Sequence, residues 1–119
     1  MIVLFINFGK GQFLPEPHPA IGWNALKNTI KYPENYQRAL ANGYADVTVQ
    51  IDSLGRIEDI QVFTNLPLFS ESIKSAFRQT KWVPAKQNGK NINSSVNLFI
   101  HFLIKNNLDD HVMIIEGAQ

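Results

Sequence analysis

The strongest pattern in this chain is an alternation of apolar and polar residues, which occurs in three separate runs. A period of two places every second side chain on one face, so each run predicts a β-strand with one buried face. A tight reversal at residues 52–55 predicts that the first two strands form a hairpin. The apolar phase slips by one near Glu58 and Asp59, which predicts a β-bulge there. The apolar positions of the three strands are Val47, Val49 and Ile51; Ile57, Ile60 and Val62; and Val96, Leu98, Ile100, Phe102 and Ile104.

Apolar residues three and four positions apart predict three helices, two before the strands and one between the second and third strands. The second helix is predicted to begin at Pro33, because the first turn does not need its missing N–H. It is predicted to end at Asn42 and Gly43, which accept a left-handed backbone. Ser70 is a candidate N-cap for the third helix. The three apolar stripes are Trp23, Leu26 and Ile30; Tyr36, Ala39 and Leu40; and Ile73, Ala76 and Phe77.

Residues 82–90 connect the third helix to the last strand. Trp82 closes the apolar stripe of that helix, and Pro84 prevents the helix from continuing. Asn88 and Gly89 predict a turn because both tolerate positive φ. The order helix, helix, strand, strand, helix, strand predicts an α+β fold. In it, a small three-stranded antiparallel sheet carries helices on one face and leaves room for extra terminal strands.

The two ends of the chain differ from this central part, so we divide the sequence into residues 1–20, 21–105 and 106–119. Residues 1–8 are apolar but far short of the roughly 20 residues that cross a bilayer. They are either the core of a signal peptide or an added strand. Three alternate prolines within residues 14–19 predict an extended spacer. The tail from residue 106 is polar and acidic, apart from residues 112–115, which have the composition of a short strand.

Composition narrows the classes of function. A chain of 119 residues suffices for one domain but not for two independent cores. Eleven basic and ten acidic residues give a formal charge of +1, and the basic residues are scattered, so no nucleic-acid partner is predicted. Without cysteine, the sequence has no disulfide, thiolate nucleophile or cysteine metal site.

No enzymatic constellation is recognisable, and we predict neither catalytic residues nor a metal or cofactor. His18, His101 and His111 lie far apart, without the spacing of metal ligands. Asp109 and Asp110 precede His111 and offer oxygen ligands, but a solvated acidic tail is the preferred interpretation. The sequence also has no nucleophile elbow, phosphate-binding loop or dinucleotide fingerprint.

The last strand is the strongest candidate for a binding surface. If it pairs with the first strand, its other flank leaves the backbone N–H and C=O groups of residues 95–104 open to an extended peptide. The alternative is that this flank is capped by the N-terminal run, by the tail or by a second copy of the domain. The residues alone leave both interpretations open.

Several of these residues form one longer motif that spans residues 21–105. Its positions are Tyr32-Pro33, Ala39 before Asn42-Gly43, Val47-x-Val49-x-Ile51, Asp52-x-x-Gly55-x-Ile57-x-x-Ile60-x-Val62, Ala76, Trp82-x-Pro84-Ala85, Asn88-Gly89-Lys90 and Phe102. In this order and spacing they resemble the C-terminal domain of TonB, the energy transducer of Gram-negative bacteria. The helix before Tyr32 is similar to that of Bacteroidetes-type relatives.

The resemblance implies a protein-binding module of the periplasm rather than an enzyme. In that family the last strand accepts the extended TonB box of an outer-membrane transporter by β-augmentation, as part of energy-coupled transport, and the Tyr-Pro segment lies close by. The alternative is a structural or self-assembly module that dimerises through the same sheet edge. Carried onto this sequence, the partner-binding residues are Asn97, Leu98, Phe99, Ile100, His101, Phe102, Leu103, Tyr32 and Pro33.

Two departures from the family limit what the resemblance implies. The glycine pair that precedes the first strand is replaced by Asn42 and Ala45. The membrane helix and the long proline-rich spacer of the family are not among these 119 residues. We therefore expect contact with an inner-membrane energising complex only if a further segment supplies that helix.

Overall fold

The computed structural model describes residues 3–5, 15–35, 42–104 and 111–117 of the chain. Two helices and nine strands are described over their full length within these residues, and residues 34 and 35 are also helical. The helices are α1 (Trp23–Thr29) and α2 (Leu68–Gln79), and the strands are β1 (Val3–Phe5), β2 (His18–Pro19), β3 (Gly43–Ile51), β4 (Ile57–Thr64), β5 (Trp82–Val83), β6 (Ala85–Gln87), β7 (Lys90–Ile92), β8 (Ser94–Ile104) and β9 (His111–Gly117).

One five-stranded sheet, with the order β1-β9-β8-β3-β4, organises the fold. Its centre is the predicted three-stranded antiparallel sheet, in which β3 pairs with β4 on one side and with β8 on the other. The register between β3 and β4 shifts at one point: Gln50 pairs with Asp59, but the next residue, Ile51, pairs with Ile57. Glu58 is left without a partner on β3, which confirms the predicted bulge. β9 and β1 are the extra terminal strands for which the sequence left room.

The helices cover one face of this sheet, as predicted for the α+β fold, and the core lies between them. The inner row of β3 is Ala45, Val47, Val49 and Ile51, and all four side chains are fully buried. Trp23 of α1 meets Trp82 edge-to-face, with ring centroids 5.8 Å apart. The other buried residues of the core are Leu26, Ile30, Tyr32, Ile60, Phe69, Ile73, Ala76, Phe77, Val96, Leu98, Ile100 and Phe102.

Residues 82–90 have the predicted functions of anchor and turn. The indole Nε1–H of Trp82 donates to the carbonyl oxygen of Phe77 at 3.0 Å, which ties the end of α2 to the following chain. Asn88 and Gly89 have positive φ (54° and 77°), as a tight two-residue turn requires. The turn closes a small separate hairpin of β6 and β7, so the chain enters β8 only after Asn93.

Two predicted helix ends were wrong. Gly43 does not stop a helix in a left-handed conformation; it is the first residue of β3 and pairs with Phe102, because sheet pairing already fixes the backbone there. Helix α2 begins at Leu68, before Ser70, and has no side-chain cap at Pro67. For the second predicted helix, Glu34 is helical, whereas Tyr36, Ala39 and Leu40 lie outside the described residues.

The proline-rich stretch packs onto the domain instead of forming a spacer. His18 pairs with Val83 and Pro19 with Trp82, and the N–H of Ala20 donates to the carbonyl oxygen of Lys81 at 2.8 Å. Pro17 is fully buried. The prolines are tolerated because a two-residue edge pairing requires few main-chain donors.

The reversal between β3 and β4 depends on a glycine for two reasons. Gly55 has φ +82°, and a Cβ atom there would lie 2.6 Å from the carbonyl oxygen of Trp82. We expect Gly55→Ala to lower the free energy of unfolding by about 2–4 kcal/mol, because backbone strain and a steric clash act together. Urea unfolding followed by tryptophan fluorescence measures this change.

Gly89→Ala is the matched control for this prediction. Gly89 also has positive φ (+77°), but nothing lies within 4 Å of a Cβ placed there. We expect it to cost only about 1 kcal/mol, from the left-handed backbone alone. Equal losses of stability in the two variants would show that the contact with Trp82 is unimportant.

Candidate protein-binding edge

Strand β8 presents its predicted binding residues on two opposite faces of the sheet. Leu98, Ile100 and Phe102 point toward the helices and are fully buried in the core. Asn97, Phe99 and His101 point to the helix-free face and are half-buried. Leu103 belongs to β8 by its backbone, but its side chain lies outside the described residues. Among the predicted residues of β8 whose side-chain burial is described, only those on the helix-free face are therefore accessible.

The outer flank of β8, which the sequence predicts to be a binding edge, is paired with the tail strand. Residues 98–104 of β8 pair antiparallel with β9, from Leu98 opposite Gly117 to Ile104 opposite His111. On its other side, β9 pairs in parallel with β1. Capping by the tail and by the N-terminal run was one of the two alternatives that the sequence left open. Residues 94–97 extend beyond this pairing, and no described strand lies on their outer flank.

Tyr32 lies under β8 rather than beside its outer flank. Its side chain is only 6% exposed, and its ring meets Phe69 edge-to-face at a centroid distance of 4.9 Å and Phe102 at 5.9 Å. Phe69 and Phe102 stack on each other, with centroids 3.6 Å apart. Pro33 follows Tyr32 and is half-buried. The Tyr-Pro segment therefore supports the end of β8 from within the core.

The helix-free face of the sheet carries a polar network and an aromatic row. The side-chain amide of Asn97 donates to Asp46 Oδ1 at 2.7 Å, to Thr48 Oγ1 at 2.8 Å and to the carbonyl oxygen of Val47 at 3.2 Å. The rings of Tyr44 and Phe99 are nearly parallel, with centroids 6.4 Å apart. A shallow depression of about 400 Å³ lies beside them, lined by Asn42, Gly43, Tyr44, Asn65, Phe99 and His101.

Within the described residues, side chains that could ligate a metal do not converge. No group of three or more histidine, aspartate or glutamate side chains is arranged to hold an ion in that part of the chain. Asp109 and Asp110 lie outside the described residues, as does the side chain of His111. In the same part of the chain, neither helix has the length and apolar character needed to cross a membrane.

Comparison with known families decides which class of domain this is. Residues 28–104 match the family model described as the Gram-negative bacterial TonB protein C-terminal. This match covers well over half of the 119 residues and includes the last two residues of α1, the Tyr-Pro segment, α2 and strands β3 to β8. The chain belongs to the TonB C-terminal family. A search of curated proteins found no matching sequence.

Membership of the TonB C-terminal family confirms the resemblance drawn from the sequence motif. The family is one of protein-interaction domains of the Gram-negative cell envelope that act in transport and contact transporters, and it is not an enzyme family. The fold agrees with this assignment, because the three central strands and the helices on one face have the arrangement expected of such a domain.

Two features of this edge were not predicted from the sequence. The pairing of β9 with β8 was named only as one alternative, because residues 112–115 signal a strand but not its neighbour. The bonding of Asn97 to Asp46 and Thr48 joins residues about fifty positions apart. The regular placement of polar residues on one face of two strands was the only available signal, and it does not specify register.

Burial of Tyr32 generates a prediction about pH. Burial raises the pKa of Tyr32 from 10.0 to about 12. The unfolded chain therefore loses this proton near pH 10, whereas the folded domain retains it until about pH 12. The free energy of unfolding therefore contains the full contribution of this difference in pKa below pH 10, and it falls by about 2–3 kcal/mol as the pH rises to 12.

We expect Tyr32→Phe to remove most of this decline, as measured by urea unfolding at several pH values between 8 and 12. Tyr44→Phe removes a hydroxyl from a side chain that is 47% exposed and is the control, which should retain the decline. The prediction fails if wild type and Tyr32→Phe lose stability in parallel over this range.

Proposed function

We propose that this domain binds the TonB box of an outer-membrane transporter in the periplasm, as an added strand on the outer flank of β8. This binding serves energy-coupled transport. The observation that carries the proposal is the antiparallel pairing of β8 with β9 over residues 98–104. A flank that already holds one extended segment has the twist, the spacing and the outward-facing main-chain groups that a peptide strand requires.

Peptide binding at this flank requires β9 to leave, because β8 can pair with only one strand there. The exchange replaces one set of main-chain hydrogen bonds by an equivalent set. Its net free-energy change is therefore small compared with the summed energy of the bonds that are broken and formed. Residues 94–97 offer a starting point, since β9 does not extend over them. A peptide that pairs first at this end of β8 then displaces β9 residue by residue.

The scaffold beneath β8 favours such an exchange. The buried side chains of Leu98, Ile100 and Phe102 pack on the helices and on β3, and Tyr32 supports Phe102 from the same side. β8 is also bonded along its inner flank to β3, from Gly43 opposite Phe102 to Ile51 opposite Ser94. These contacts hold β8 extended whichever strand occupies its outer flank.

Affinity and partner choice have different origins in this proposal. Main-chain hydrogen bonds give affinity for any extended segment, whereas side chains at alternate positions discriminate between segments. Phe99 and His101 are placed for this purpose on the helix-free face, where their rings lie nearly parallel at a centroid distance of 5.9 Å. Leu98, Ile100 and Phe102, the predicted residues on the core face, contribute indirectly, because their packing holds β8 in place.

A peptide copied from a transporter's TonB box tests the proposal. Added to the isotope-labelled chain, it should shift the backbone amide signals of residues 94–104 in the NMR spectrum, together with those of the displaced β9. Ile114 lies in the middle of β9, opposite His101. We expect Ile114→Pro to raise the affinity for the peptide about fivefold, since proline weakens the competing strand by roughly one hydrogen bond.

The control peptide has the same side chains but is N-methylated at alternate positions, which removes the main-chain donors that a strand needs. It should not bind. Shifts confined to other elements, or equal binding of both peptides, would contradict the proposal. Sedimentation of the same samples tests the dimer alternative, because a stable dimer that buries the flank of β8 would exclude the peptide and remain a dimer in its presence.

A further inference from the structure

Asp46 lies at the centre of an aromatic cluster on the helix-free face of the sheet. It stands on β3, directly opposite Phe63 of β4 on one side and Phe99 of β8 on the other. Side chains that are directly opposite in antiparallel strands share a face, with Cβ atoms about 5 Å apart. Tyr44 lies two residues before Asp46 on the same strand and therefore on the same face.

The rings around Asp46 are accessible. Phe63 is 68% exposed and Tyr44 is 47% exposed, which is unusual for large aromatic side chains on a folded domain. Tyr44 and Phe99 are nearly parallel, with an angle of 24° between their planes. By strand register, Phe63 and Phe99 stand on either side of Asp46, Tyr44 lies along the same strand, and Asp46 itself is half-buried.

The carboxylate of Asp46 is fixed but only partly bonded. Its Oδ1 accepts the amide hydrogen of Asn97 at 2.7 Å, and Asn97 is itself held by Val47 and Thr48. Among the described residues, Oδ2 has no hydrogen-bond partner. A half-buried carboxylate that is held by one oxygen and lies beside two exposed aromatic rings is suited to a planar cation.

The charge of this face is consistent with a cationic ligand. All eleven lysine and arginine residues of the chain lie outside β3, β4 and β8. The helix-free face of these strands carries Asp46, Asp59 and His101 and no lysine or arginine. Arg56 lies in the turn before β4 and is already engaged by Asp52 at 2.7 Å. Within the described part of the chain, Asp46 therefore has no lysine or arginine partner, which leaves it available to a cation from another molecule.

We propose that Asp46, Tyr44, Phe63 and Phe99 form a binding site for an arginine side chain of a partner protein that lies across the helix-free face. A guanidinium group donates in its plane to the carboxylate while its flat face rests on an aromatic ring. A lysine ammonium has no flat face to stack, and a neutral side chain gains no charge interaction. This site shares Phe99 with the proposed peptide site, but it lies on the helix-free face and does not depend on strand exchange at the outer flank of β8.

A capped tripeptide, acetyl-Gly-Arg-Gly-amide, tests the site on the full chain by NMR titration. It should shift the amide signals of Asp46, Phe63 and Phe99, with a dissociation constant on the order of millimolar because the site is exposed. Replacing its arginine by citrulline, which keeps the shape but has no charge, should reduce the affinity about fivefold or more. The lysine tripeptide should bind more weakly than the arginine tripeptide.

Two charge variants separate a local site from general electrostatics. Asp46→Asn keeps the oxygen that accepts from Asn97 but removes the charge, and we expect it to reduce arginine affinity about fivefold. Asp59→Asn removes the same charge from the same face, roughly 13 Å along β4 from Phe63 and away from the rings. Asp59 is engaged only by Gln61 among the described residues, and its replacement should change the affinity little.

Phe63→Ala is a third variant, chosen because the exposure of this ring makes a loss of folding unexpected. It should weaken arginine binding about threefold. The proposal is overturned if citrulline or lysine binds as tightly as arginine, if the two aspartate variants weaken binding equally, or if the shifts fall away from Asp46, Phe63 and Phe99.

Discussion

The fold depends on one fully buried surface, the inner face of strand β3. Its four inward side chains are completely buried between the helices and the rest of the sheet. Because each fully buried aliphatic or aromatic side chain contributes on the order of 2 kcal/mol, this row and its neighbours on β8 supply much of the hydrophobic stabilisation. β4 and β8 pair with the two flanks of β3, and α2 covers the row. Every other element is placed relative to this strand.

Because one face of the sheet is buried in the core, a partner protein can contact only the edges of the sheet and its opposite face. The outer flank of β8 offers main-chain groups, which accept any extended segment and discriminate weakly. The helix-free face offers side chains, which discriminate by charge and shape. In this domain both surfaces converge on Phe99, which belongs to β8 and also borders Asp46. A partner that occupied both surfaces would gain affinity from the first and selectivity from the second.

In the proposed exchange, the tail strand gives the binding flank of β8 a β9-paired state and a peptide-bound state without changing the core. β9 completes the sheet when no partner is present, which protects an edge that would otherwise invite unwanted strand pairing. The aromatic stack of Tyr32, Phe69 and Phe102 lies on the opposite side of β8 from solvent and does not require β9 to stay in place. If β9 exchanges as proposed, the flank is covered when no peptide is bound and can still accept one.

The sequence by itself determined the three central strands, their buried faces, the bulge at Glu58 and the turn at Asn88, because these follow from local periodicity and from backbone preferences of single residues. It also determined the family, through the joint spacing of its motif. Only the tertiary structure decided that β9 pairs with β8, that Tyr32 lies beneath that strand, and that Phe63 and Phe99 flank Asp46. Main-chain hydrogen-bonding groups are nearly the same in every residue. The pattern of apolar and polar residues therefore specifies which face of a strand is buried, but not which strand pairs with which flank. Side-chain contacts between strands follow only once the register is set.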